Sequence, residues 1–376
     1  MTEMPEKISV MQLTYSLRMG GSEKLAMDIS MNLDPARFRP SVCALDLDGD
    51  LAQELEREKI DHIVLHRKGL ELDIFRRIYR LIRENRIRVI HTHHFTQLFF
   101  AALPARWAGA RIIHTEHEFF SYLQNPFHRR LIRPLSRFCE RMTVVGPEIA
   151  DYFVGTIGLP EQRVMVVPNG VDIPKFDCGR EAARAEFGLS PRDIVIGTVG
   201  RLEPEKDQAT LLEAFRQIKG ESRSLRLLIV GDGSVAGELK AHAERIGISD
   251  RTLFLGYRRD IPKLLAAMDV FVLSSIREGL PISLIEAMAA RRPVVSSDIG
   301  SIKDLVQDGQ NGILVPPRDA AAFGKVLQRL VESAELRERL GEAGRRTVEA
   351  SFSLPVMIRT YEGLYQAALG KRDVRN

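Results

Sequence analysis

Two stretches in the second half of the chain carry charge at spacings suited to a phosphate-bearing ligand. Gly200-Arg201-Leu202-Glu203-Pro204-Glu205-Lys206-Asp207 follows an apolar run and precedes a helical pattern that Asp207 can cap. Arg201 offers a flat fork of donors and Lys206 a point charge, so the pair suits a diphosphate. The plain alternative is a solvated loop, the usual fate of exposed Lys and Arg. The second stretch is Glu278-Gly279-Leu280-Pro281-Ile282-Ser283-Leu284-Ile285-Glu286-Ala287. Gly279 and Pro281 mark a tight turn, with Pro281 near the first helical turn. The helix that starts there offers free amides and partial positive charge to an anion. Glu286, about one turn in, can accept from a sugar diol, and Glu278 is held just before the turn. Either glutamate alone reads as a surface group on an exposed helix. The set points to a binding site.

The first half carries weaker signals. Gly20-Gly21-Ser22-Glu23 opens a helix after the first apolar run, where paired glycines let a ligand approach the backbone. It is not the full dinucleotide fingerprint, and taken alone it reads more readily as a plain turn before a helix. His91, His93 and His94 end one strand pattern, and His114 and His117 end the next, with Glu116 and Glu118 beside them. Adjacent parallel strand ends would bring these histidines together. A metal site is one reading. The other is a single pocket histidine backed by histidines that satisfy local hydrogen bonds. Asp46-Leu47-Asp48-Gly49-Asp50 contains an Asp-x-Asp but lacks the rest of a calcium loop, and it reads as a turn and helix cap.

The elements that must position these residues alternate in kind. Short apolar runs at 8–13, 41–45, 62–65, 89–91, 111–115, 142–145 and 164–167 predict strands, with helical patterns between them at 23–33, 72–85 and 129–139. A second series of strands follows at 194–199, 225–230, 252–255, 270–274, 293–296 and 312–315. Its helices are predicted at 207–217, 236–246, 261–267 and 283–290. Such alternation gives parallel sheets covered by helices on both faces, with functional loops at the carboxyl ends of the strands. The series breaks at Pro168-Asn169-Gly170-Val171-Asp172, where the linker is placed. Helical patterns at 321–332, 336–350 and 354–369 close the chain before a charged tail, 371–376.

At 376 residues the chain suits two domains, and its 28% charged residues are ordinary for globular proteins. The net charge of +4 is mild but segregated: residues 62–145 hold fifteen Lys/Arg against six Asp/Glu. Within this segment the arginines of 72–88 alternate with Leu, Ile, Phe and Tyr, which permits an interfacial helix as well as a solvated face. A local basic surface suggests an anionic partner. Basic–aromatic interleaving of common RNA modules is absent, so nucleic acid is not expected. Three scattered cysteines with no CxxC pair argue against a disulfide framework or zinc ribbon and fit the cytosol. The polar first seven residues predict no signal peptide, and no apolar run approaches a membrane span.

Together these segments resemble the retaining glycosyltransferases of family 4. The resemblance rests on Gly20-Gly21-x-Glu23, Pro168-Asn169-Gly170-Val171-Asp172, Gly200-Arg201-Leu202-x-Pro204-x-Lys206-Asp207, Gly231-Asp232-Gly233 and the Glu278-to-Glu286 spacing, in order along nearly the whole chain. It implies an α/β GT-B fold: two facing Rossmann-like domains with parallel sheets and a cleft between them. Residues 1–173 would bind acceptor, residues 174–353 the nucleotide-sugar donor, and helix 354–369 would pack back on the first domain. It implies neither metal nor cofactor. Carried over by position, Arg201 and Lys206 hold the donor diphosphate, Glu278 contacts the transferring sugar and Glu286 the ribose hydroxyls. Gly279, Leu280, Pro281, Ile282 and Ser283 line phosphate and sugar, Gly21 lies at the donor and His117 matches the pocket histidine. Tyr257, in Gly256-Tyr257-Arg258, would lie at the base of a UDP or GDP sugar. The segment Gly300-Ser301-Ile302-Lys303-Asp304 departs from the family's double Gly followed by Pro-Glu, which affects local loop shape and not the resemblance.

The expected reaction is therefore retaining, metal-independent transfer of a sugar from a nucleotide diphosphate to a saccharide or lipid-linked acceptor, in cell-surface polysaccharide synthesis. The expected place is the cytoplasm, with the first domain docked on an anionic membrane surface. The rivals are a nucleotide-sugar epimerase or hydrolase on the same fold and a non-catalytic nucleotide-sugar-binding protein.

Overall fold

A computed structural model of the chain describes residues 7–18, 20–67, 71–118, 122–123, 125–219 and 225–370. The charged tail and the first six residues of the polar N-terminus lie outside them. The chain forms two compact units, Met1–Asn169 with Leu354–Asn376, and Gly170–Ser353. The division falls at 169/170 rather than at 173/174. Val171 already belongs to the second unit, since its N–H donates to the Phe352 carbonyl at 2.9 Å beside a bridge to Ser353.

The first unit is built on strands β1 (Ile8–Ser16), β2 (Phe38–Leu47), β3 (Asp61–Val64), β4 (Val89–His93), β5 (Arg111–Glu116), β6 (Cys139–Val144) and β7 (Val164–Val166), in the order β3-β2-β1-β4-β5-β6-β7. Every pairing is parallel. A parallel sheet is covered on both faces, which is why the central strands read as continuous apolar runs rather than alternating ones. The helix Leu354–Gly370 belongs to this core: Leu354, Met357, Ile358, Tyr361 and Tyr365 pack with Leu25, Ile29, Phe38, Val89 and Ile113. Periodicity did not reveal the helix His94–Ala108. It is apolar almost all round, with Phe95, Leu98, Phe100, Ala101, Ala102 and Ala105 buried, so no polar stripe contrasts with an apolar one.

The second unit holds β8 (Ile194–Val199), β9 (Leu225–Val230), β10 (Thr252–Gly256), β11 (Val270–Leu273), β12 (Val294–Ser297) and β13 (Ile313–Val315), all parallel, in the order β10-β9-β8-β11-β12-β13. In both sheets the strand order reverses once, between β1 and β4 and between β8 and β11. Loops leaving the carboxyl ends on either side of such a reversal diverge and leave a crevice, where open α/β sheets bind ligands.

Candidate active site

The two charged stretches of the second unit leave β8 and β11, the strands that flank its reversal. Val270 pairs with Ile196 and Phe271 with Gly197, so the two carboxyl ends lie side by side. The loop after β8 is tied down from both directions. Its Leu202 N–H donates to Asp232 O at 2.9 Å, and Val235 N–H returns to Leu202 O at 3.1 Å. From the other side Ile276 N–H donates to Glu205 O at 2.9 Å and Ser274 Oγ to Lys206 O at 3.2 Å. The approach requires Gly231: it takes φ +137°, and a Cβ there would lie 1.8 Å from the Gly200 carbonyl oxygen.

This lacing brings Lys206 onto Glu278. Lys206 Nζ lies 2.6 Å and 2.7 Å from the two carboxylate oxygens, and Ser275 Oγ donates to Oε1 at 2.7 Å. The Glu278 side chain is 8% exposed and that of Lys206 18%. Arg201 is on the same loop but stands out in solvent, 71% exposed, with Glu205 at 3.3 Å. The loop thus presents one anchored and one solvent-exposed cation. Asp207 corrects a sequence expectation. It sits before the helix Gln208–Gln217 at φ +46°, and its carboxylate accepts from the Thr210 hydroxyl at 2.7 Å instead of capping a backbone N–H.

After Glu278 the chain turns through Gly279, Leu280 and Pro281 into the helix Ile282–Ala289. Pro281 is the residue before the helix rather than its first, and its carbonyl accepts from Leu284 and Ile285 N–H. The N–H groups of Ile282 and Ser283 make no backbone hydrogen bond among the described residues, which leaves the helix start open to an anion. Glu286 is buried at 5% exposure. Tyr257 follows β10 and is exposed, whereas the neighbouring Arg258 guanidinium is committed to Asp260, with Nε 2.8 Å from Oδ1. Ser275 is the residue that sequence reading missed. Its only signal was a Ser-Ser pair closing an apolar strand.

Gly21 and His117 belong to the first unit. Gly21 is exposed at the start of the helix Gly21–Asn32, next to Gly20. His117 follows β5 and is half-buried, its ring 4.7 Å from that of His94. His91, His93 and His114 are fully buried and bonded to neighbours: His91 to Tyr365 and Thr115, His93 to Gln12 and His117, His114 to Thr92 and Glu116. Burial, reinforced by the neighbouring histidines, holds the His91, His93 and His117 pKa values well below the usual imidazole range, so these rings are neutral at pH 7. Among the described residues no three of His, Cys, Asp and Glu converge as metal ligands would. The Asp46 carboxylate is taken by Arg67, at 2.6 Å from both Nε and Nη2.

Comparison with known proteins adds to this geometry. Residues 179–347 match the family described as Glycosyl transferases group 1, and residues 19–175 match Glycosyltransferase Family 4. The Bacillus subtilis protein EpsD, named as a glycosyltransferase, is 30% identical over 73% of this chain and 76% of its own length. An Escherichia coli UDP-Gal:alpha-D-GlcNAc-diphosphoundecaprenol alpha-1,3-galactosyltransferase is 29% identical over 69% of this chain and 70% of its own. Among solved structures, Anabaena Alr3699/HepE in complex with UDP and glucose superposes with a TM-score of 0.86 at 23% identity, covering 96% of this chain and all of that one. This likeness shows the fold, which is GT-B.

Proposed function

The chain belongs to the family 4 glycosyltransferases, and from that premise we propose that it transfers a sugar, with retention, from a nucleoside diphosphate to a saccharide or lipid-linked acceptor. The carrying observation is the Lys206–Glu278 pair on the two loops that flank the β8/β11 reversal, directly before an open helix start. Glycosidic cleavage builds oxocarbenium character at the sugar C1 and negative charge on the leaving diphosphate. In this reading Lys206, Arg201 and the Ile282 and Ser283 amides supply positive charge to that diphosphate, and the groups already oriented in the ground state, Lys206 and the amides, contribute most. Side chains and dipoles then do what a divalent ion does elsewhere, so the reading includes metal independence. In this reading Glu278, held by Lys206, contacts the transferring sugar and Glu286 the ribose.

We read the reaction as same-face attack. The C1–O bond to phosphate breaks, the C1–O bond to the acceptor hydroxyl forms, and the hydroxyl proton passes to the departing phosphate oxygen. The donor unit is Gly170–Ser353 and the acceptor unit Met1–Asn169 with the last helix. The HepE structure contains UDP and glucose, and the E. coli relative is named for a UDP-galactose donor and a diphosphoundecaprenol-linked acceptor. A UDP sugar and a lipid-linked saccharide in polysaccharide synthesis are accordingly the first pair to test. A thermal-shift panel of UDP, GDP, ADP and their sugars tests the donor assignment, because a ligand at 100 times its Kd stabilises by about 2.7 kcal/mol. No shift with any of them would overturn it.

We further propose that the first unit docks on an anionic membrane surface. Among the described residues no helix is long and apolar enough to cross a bilayer. The first unit nevertheless exposes Leu72 (78%) and Trp107 (64%) around a groove of about 710 Å³ that Phe75, Arg76, Tyr79 and Leu103 complete. The helix Asp73–Glu84 buries Ile74, Ile78 and Ile82 and turns Arg76, Arg80 and Arg83 outward. Apolar groups beside a row of arginines fit the interfacial zone of an anionic cytoplasmic leaflet.

A further inference from the structure

The buried histidines of the first unit are links in one directional chain of hydrogen bonds, and its direction is set at one end. Thr143 Oγ1 lies 3.1 Å from the His114 carbonyl oxygen, which can only accept. Thr143 therefore donates there and must accept from Thr115, whose Oγ1 is 2.5 Å away. With its proton so used, Thr115 accepts from its other two neighbours, Tyr361 OH at 3.2 Å and His91 Nε2 at 2.7 Å. His91 is thus protonated on Nε2, and its Nδ1 accepts from Tyr365 OH at 2.7 Å. Tyr365, having donated, accepts from Gln12 Nε2 at 3.1 Å, which turns Gln12 Oε1 toward His93 Nε2 at 2.9 Å. The orientation of the Gln12 amide agrees with the one that the chain demands. His93 Nε2 donates to Gln12, so His93 Nδ1 accepts from His117 Nε2 at 3.1 Å.

We propose that Tyr365 and Gln12 are positioning residues that fix His117 as the Nε2–H tautomer and leave its Nδ1 as an acceptor for a ligand hydroxyl. Among the described residues no protein group bonds that Nδ1. The chain depends on the sheet register: His91 lies opposite Gln12 across β1 and β4, and His93 lies opposite Thr115 across β4 and β5. It also depends on the last helix, which supplies both tyrosines after the 184 residues of the other unit, Gly170–Ser353. Low pKa values keep the three rings neutral, so each has one donor and one acceptor nitrogen to be assigned. The ligand part rests on the reading of His117 as the pocket histidine; the tautomer does not.

The test is long-range 15N–1H correlation of the imidazole rings in the whole ligand-free protein at pH 7.5. His91, His93 and His117 should each show a protonated Nε2 and an unprotonated Nδ1. Tyr365→Phe cuts the chain between His91 and Gln12. His91 should keep its tautomer, still held by Thr115, while His93 and His117 pass to mixtures of both forms. Thr143→Val removes the anchor and should release all three. A protonated Nδ1 on any of the three in the wild type overturns the proposal, and that measurement stands even if a variant does not fold. So does a folded Tyr365→Phe protein in which His117 stays wholly Nε2–H. Because no donor is present, failure here is distinct from failure of the transferase reading, which the nucleotide panel reports.

Discussion

Lys206 separates a structural role from a chemical one, and the two have different sizes. In Lys206→Met the Glu278 carboxylate loses the cation at 2.6 and 2.7 Å but keeps the Ser275 hydroxyl at 2.7 Å. Stripping one partner from a fully buried pair costs about 3–5 kcal/mol. Here the lysine side chain is 18% exposed, so solvent screening lowers the expected cost to about 1–3 kcal/mol. For a domain of this size that is a fall of roughly 2–4 °C in Tm per kcal/mol. The companion change Glu278→Gln removes the unpaired charge, so the double variant should regain most of the lost stability. It should not regain diphosphate affinity. A charge-assisted hydrogen bond to phosphate is worth about 1.5–3 kcal/mol, so Kd for the nucleoside diphosphate selected by the panel should rise by about 10- to 100-fold in both variants. Urea denaturation and titration calorimetry at pH 7.5 read the two quantities separately. If the double variant binds the nucleotide as tightly as wild type, Lys206 only neutralises Glu278 and the phosphate assignment is wrong.

Five further outcomes are expected. Stability should fall as pH drops from 6.5 toward 5.5: His91, His93 and His117 have folded-state pKa values below the unfolded one, so the unfolded chain takes up protons first, costing up to about 1.4 kcal/mol per pH unit per histidine. A urea midpoint that does not change across this window would show the rings to be charged or open to solvent. Gly231→Ala should cost about 3 kcal/mol or more, from the clash with Gly200 O and the strained φ. Gly237→Ala, a helical position with open space around it, should stabilise by about 0.5–1 kcal/mol under the same denaturation. Excess chelator should leave release of nucleotide from the donor unchanged, whereas loss restored by a divalent ion would refute metal independence. Co-sedimentation with anionic liposomes should weaken with salt and fall when Arg76, Arg80 and Arg83 become Gln, each worth roughly 1 kcal/mol; no binding at low salt would remove membrane docking and leave the transferase reading intact.

The sequence by itself determined the architecture and the location of the charged loops. Thirteen apolar runs punctuated by helical patterns are enough to specify two parallel sheets, because only that arrangement buries strands on both faces. Strand-end position alone picked out Arg201, Lys206, Glu278 and the turn before Ile282, since in such sheets the loops at the carboxyl ends are where ligands meet backbone. What the tertiary structure decided was partnership. Nothing in the spacing of Lys206 and Glu278, 72 residues apart, says that they touch; that follows from the β8/β11 register and from the absence of a side chain at Gly231. Arg201 and Lys206 read alike in sequence, yet one is in solvent and the other is gripped. The helix His94–Ala108 was hidden because periodicity needs contrast, and a helix apolar nearly all round has none. The histidines stood out as a cluster whose purpose composition could not give. Their order depends on hydrogen-bond direction, which passes through Thr143, Thr115 and two tyrosines from the far end of the chain, and direction is a property of three-dimensional pairing that no linear pattern carries.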